Sequence, residues 1–185
     1  MRERVTPRNP QSPAQTAWRA AIAEAGRAYR TLTAPQYAEW QAYAAALAEP
    51  GERPPSVVNA FIQLAARFRA VNPALPIPML PPESAFGGDG VQVTATGLAT
   101  AARFTASGPN SPGVVTELLV QPVPSAFASA YDSKFRSRGY VGFSGGSLSS
   151  TVPLAPGFCA CAVRFVRAST GQVGGILRVG VVRVG

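Results

Sequence analysis

Cys159 and Cys161, the neighbours Ser133 and Lys134, and Glu117 within an apolar run are the side chains whose types could do chemistry here. Histidine is absent, so no Ser–His or Cys–His pair can activate a nucleophile. The two cysteines lie two residues apart in what reads as a strand, and so share a face. At that spacing a disulfide would be strained, and a tetrahedral metal site would need two further ligands that no His or third Cys can supply. They read as small buried apolar residues. Ser133 and Lys134 are adjacent along the chain, which does not set up a nucleophile–base hydrogen bond; Asp132-Ser133-Lys134 reads as a solvated turn. One acid in an apolar segment is not a carboxylate dyad. Gly145-Gly146 and Gly174-Gly175 open no helix and read as turn and bulge glycines rather than phosphate loops. The expectation is a protein without catalytic residues, cofactor or metal.

Attention therefore moves to binding. Charged residues make up 14% of the 185-residue chain and hydrophobic ones 46%. About 25% charge is usual for a soluble domain. A chain this poor in charge has difficulty covering its surface in water, and burial against partners is the ordinary remedy. Net charge is +8, and every basic residue except Lys134 is Arg. The charge is spread along the chain, whereas a dedicated DNA binder gathers it on one element. The polar N-terminus carries no apolar stretch of signal-peptide kind, and no run approaches a membrane span. No membrane partner is expected.

The elements that must position any contact residues fall into two halves. Residues 1–11 form a basic, proline-containing arm. Residues 12–72 read as three helices. Ser12, Pro13 and Gln15 give the first a capping box with proline at its first position, and Thr33 with Gln36 gives the second another. Ser56 caps the third. Apolar stripes at helical spacing are Trp18, Ile22, Ala25 and Tyr29, then Tyr37, Trp40, Ala44 and Leu47, then Val58, Phe61, Ile62, Ala65 and Phe68. The short connection predicts that the first two helices are antiparallel neighbours or a bent hairpin. Residues 73–90 are a Pro/Gly-rich linker, in which Leu75, Ile77 and Met79 alternate and could lie along a groove. From residue 91 to 185 the period changes to two. Seven short runs separated by Gly, Pro and Ser clusters predict an immunoglobulin-like β-sandwich, with Cys159, Cys161, Val163 and Phe165 inward and Arg164 outward. The fold class is α+β.

Asn9, Pro10, Ser12, Pro13, Ala14, Gln15 and Arg19, followed by Leu32-Thr33, Gln36, Trp40 and Tyr43 and by Asn59-Ala60-Phe61, form a pattern. Over roughly the first 70 residues it resembles a family of small structural proteins encoded by tailed phages and prophages. The resemblance implies a non-enzymatic virion component, such as a capsid decoration or head–tail part. It would be made in the host cytoplasm, with other virion proteins and copies of itself as partners. The Leu154-Ala155-Pro156-Gly157 turn looks like the start of a fibronectin-III strand, although the tyrosine expected soon after it is missing.

Two groups of residues are the candidate contacts. The first is the arm with helix one: Arg2, Arg4, Arg8, Arg19, Arg27 and Arg30. Acidic protein neighbours are the favoured target, and DNA phosphates, as for an architectural DNA-binding protein, are the alternative. The second is an irregular segment over residues 125–139: Phe127, Tyr131, Lys134, Phe135, Arg136 and Arg138. Trp18, Trp40, Tyr37 and Tyr43 are expected in the helical core.

Overall fold

A computed structural model describes residues 13–48, 51 and 53–185. The chain divides into two compact units between Pro81 and Pro82. The arm with Arg2, Arg4 and Arg8, and the expected Ser12 cap, lie outside the described residues.

In the first unit, helices α1 (Pro13–Tyr29), α2 (Ala34–Ala46) and α3 (Val57–Val71) follow one another. α2 starts with the capping box read from the sequence. The Thr33 N–H donates to Gln36 Oε1 at 2.9 Å, and Thr33 Oγ1 accepts the Gln36 N–H. At the start of α3, Ser56 Oγ accepts the Asn59 N–H at 3.3 Å. α3 is the central helix. It packs extensively against α1 and also against α2, while α1 and α2 make little contact with each other. The core is Phe61, Trp40, Leu64 and a set of alanines, with the Trp40 and Phe61 rings edge to face at 5.0 Å. The Glu24 carboxylate accepts from Arg69 Nε at 2.8 Å and ties α1 to α3.

The stripe of α1 agrees with the expected one at Ala25 and at Tyr29, which is half-buried on the core, but not at Trp18 and Ile22. Ala21 and Ala25 are buried, whereas Trp18 is 42% exposed and Ile22 38% exposed. Close helix packing selects the small side chains, which turns the large ones to the flank. Tyr37 and Leu47 of α2 are exposed as well, so of the four aromatic residues expected in the core, Trp40 is buried and Tyr43 half-buried. The prolines after α3 lie against this unit. The Trp40 indole N–H donates to the Met79 carbonyl at 3.0 Å, Arg69 reaches the Leu75 carbonyl, and Ile77 packs on the core.

The second unit is a two-sheet sandwich. Strands β1 (Val93–Gly97), β2 (Ala101–Ala106) and β5 (Ser149–Pro153) form one sheet in the order β1-β2-β5. Strands β3 (Val114–Val123), β4 (Arg136–Val141), β6 (Gly157–Arg167) and β7 (Leu177–Val184) form the other, in the order β4-β3-β6-β7. All pairings are antiparallel, and the chain crosses between sheets after β2, β4 and β5, the immunoglobulin-like arrangement expected from seven short strands. Phe104, Leu118, Val120, Cys161, Val163 and Val182 fill the space between the sheets.

Two features close this sandwich. At Gly97 a Cβ would stand 1.8 Å from the Arg183 carbonyl oxygen, so only glycine lets β1 and β7 approach this closely. Residues 84–90 are stapled onto the strands. Gln172 Nε2 donates to the Ser84 carbonyl at 2.9 Å, and the Arg167 guanidinium stands 5.1 Å over the Phe86 ring. The Asp89 carboxylate accepts the N–H groups of Gly90 and Ser111, the Ser111 hydroxyl and the Asn110 amide.

Candidate partner-contact surfaces

β3 and β6 are buried on both faces, which an open sandwich would not require. Their inward residues meet the other sheet. Their outward residues Leu119, Val123, Ala160 and Ala162 need another cover, and residues 124–135 supply it by folding back over the sheet. Phe135 packs there with Ala128 and Ala130. Two contacts fix the segment. The Tyr131 N–H donates to Gln121 Oε1 at 3.0 Å, and Asp132 pairs with Arg178 of β7 at 2.9 Å. The single helical turn Asp132–Lys134 then leads into Phe135.

This arrangement sorts the residues of the expected loop. Phe127 is 98% exposed at the apex. Tyr131 is exposed, with the Lys134 ammonium 5.0 Å from its ring centroid. Phe135 is no surface contact: at 8% exposure it belongs to the small core on the outer face of the sheet. Arg136 and Arg138 do not lie in an irregular loop either. They belong to β4, which pairs on one side only, and Arg136 also donates to the Ser133 and Phe135 carbonyls. A bulge against β3 between Glu117 and Leu119 made this stretch look aperiodic.

Glu117 is 3% exposed on the same outer face and accepts from Arg164 Nε at 2.8 Å and from its Nη2. Their registration across β3 and β6 makes this a structural ion pair. Both cysteines are free and buried. Burial pushes the Cys161 thiol up to about 12 and raises Cys159 as well, against a smaller downward pull from Arg138. Neither sulfur is poised as a nucleophile. Among the described residues no group of three His, Cys, Asp or Glu could hold a metal. No described helix is long and apolar enough to cross a membrane.

On the helical unit, Arg19, Arg27 and Arg30 are exposed on the side of α1 facing away from its buried alanines. Trp18 and Ile22 form its flank, and Leu47, Leu75 and Leu80 are exposed elsewhere on the unit. Sequence reasoning placed Trp18 and Ile22 inside because they are the largest apolar residues at the right spacing. Ala21 and Ala28, which join the expected Ala25 on the inner face, carry no size signal. No protein-family model matches the sequence, and no curated protein is found to be similar to it.

Proposed function

We propose that this chain is a non-enzymatic structural component of a tailed-phage or prophage-like particle, acting by docking onto neighbouring subunits. The observation that carries the reading is where large apolar side chains stay uncovered. Phe127 stands free on a loop braced at several points, and the helical unit leaves Trp18, Ile22, Tyr37, Leu47, Leu75 and Leu80 exposed. Because the loop is held by contacts of its own, less of its backbone has to be ordered at binding. Aromatic residues on prearranged supports are the usual anchors of protein interfaces. The particle itself is suggested by the resemblance of the first 70 residues, and the basic arm would grip an acidic neighbour.

A second reading, an architectural DNA-binding protein, draws on the exposed row of Arg19, Arg27 and Arg30. The two readings separate in one experiment. Particles are purified from cells producing the intact chain, a form lacking residues 2–8, or Phe127→Ala. Copies per particle are counted by quantitative mass spectrometry. The assembly reading expects fixed stoichiometry for the intact chain and reduced incorporation for both variants. Absence from particles, together with salt-sensitive duplex binding at physiological ionic strength, would replace it with the DNA reading.

A further inference from the structure

Gly26 sits in the last turn of α1, three residues before its end at Tyr29. A Cβ placed there would meet nothing within 4 Å. Among the described residues no turn, positive φ or internal contact calls for glycine at this position. Yet glycine inside a helix is about 1 kcal/mol worse than alanine. Among the described residues none gains from the missing methyl group, which directs its use to something that comes close from outside them.

What surrounds it shows the kind of approach. Residues four apart form the ridges that helices use to pack against one another. Here one such ridge is Trp18, Ile22 and Gly26, and Arg30 extends it just past the last helical residue. The first two are the exposed apolar side chains of α1. Two large residues followed by a gap form the profile onto which a crossing helix settles, its backbone closest at Gly26.

Charge selects the occupant. Arg27 and Arg30 border the ridge, and the helix's one acid, Glu24, is bonded to Arg69 on the other flank. A second copy of this chain would bring the same arginines against one another. A nucleic acid would match the arginines but leave Trp18 and Ile22 with no apolar partner. We propose that the Trp18–Ile22–Gly26 ridge is a docking site for an amphipathic helix of another protein, apolar along its centre and acidic on its flanks. This rests on the assembly reading above and names the chemistry of the partner.

The test uses the full chain and two synthetic helices of about 20 residues. They share a Leu/Ala face, and their polar faces carry Glu in one and Lys in the other. Calorimetric titration is expected to show the Glu helix binding about tenfold or more tightly than the Lys helix, with affinity falling as salt rises. Gly26→Leu and Ile22→Glu should each weaken it about tenfold or more while the fold is retained. Gly26→Ala should raise the melting temperature of the helical unit by about 3–6 °C. Equal binding of the two helices, no binding, or indifference to Gly26→Leu overturns the proposal. So does a homodimer that Ile22→Glu dissociates, or a short DNA duplex that binds more tightly than the Glu helix. The outcome is separable from that of the assembly reading. If particle incorporation depends on the arm but the helices bind equally, only the partner chemistry falls. If the Glu helix is selected but the chain is absent from particles, the docking ridge stands without the particle.

Discussion

The sandwich covers both faces of its two central strands, whereas the helical unit buries α3 and leaves flanks of α1 and α2 uncovered. The sandwich does so with its own chain: residues 124–135 lie over one sheet, and residues 84–90 are bonded to strand ends. Among the described residues the helices have only the proline segment, bonded through Met79 and Leu75. A unit this small has little core to spare. One region is thus self-sufficient, and the other relies on a small core with its apolar remainder turned outward.

Four measurements can break or sharpen that contrast, taken from the largest expected effect to the smallest. Phe61→Ala removes the ring at the centre of the helical core, a loss of about 4 kcal/mol, comparable with the whole stability of so small a unit. Calorimetry should show the helical transition abolished and the sandwich transition in place. A common shift of both would mean that the two regions do not melt separately. Within the sandwich, Phe135→Ala should cost about 3 kcal/mol, since it opens a cavity under the covering loop. Phe127→Ala, eight residues earlier in the same segment but free in solvent, should change chemical-denaturation stability by less than about 0.5 kcal/mol. Equal costs would show that the loop is not a cover with a projecting tip.

The third measurement is pH. Burial of Asp89 works against its charged form, but hydrogen bonds from Ser111, Asn110 and Gly90 outweigh it and hold the carboxyl below its ordinary value. A folded pKa below the unfolded one gives stability that is present above the unfolded value and lost as pH falls through the folded one. The melting temperature of the sandwich should therefore decline below about pH 4. In Asp89→Asn that part of the decline should be absent. The smallest effect concerns the thiols. At pH 8 Cys159 and Cys161 should react with a water-soluble disulfide reagent only as fast as the sandwich opens, because both are buried and their thiolates disfavoured. Rapid labelling in the folded state would place a gap in the core described for β6.

Much of the sandwich was legible because alternation is a local signal. Each of the seven runs became a strand, and Arg164 emerged opposite its inward neighbours. Its partner Glu117 was visible as an oddity, but pairing them needed the β3–β6 register, set by residues 47 apart. The covering segment was illegible for a related reason. Phe135 has no periodic neighbours, and its burial depends on outward residues of two other strands. In the helical unit, the caps at Thr33 and Ser56 could be read because each is completed within four residues. The rotation of α1 could not, because it turns on how closely α3 approaches, and large residues outweigh alanines in any stripe drawn from hydrophobicity alone. The contacts of Met79 and Ser84 involve carbonyls, which every residue has, so no sequence signal marks them.

The placement of Arg136 and Arg138 on β4 bears on solubility during synthesis. A strand paired on one side offers a row of unused N–H and C=O groups to any similar strand it meets. Where many copies are made at once, that row invites strand-by-strand growth into insoluble fibres. Two guanidinium groups on so short a strand make the addition of a second identical strand electrostatically costly, and the bulge beside them spoils the register it would need. Replacing both with valine should leave the folded sandwich intact and shift freshly made protein into inclusion bodies, a defect of yield rather than of structure.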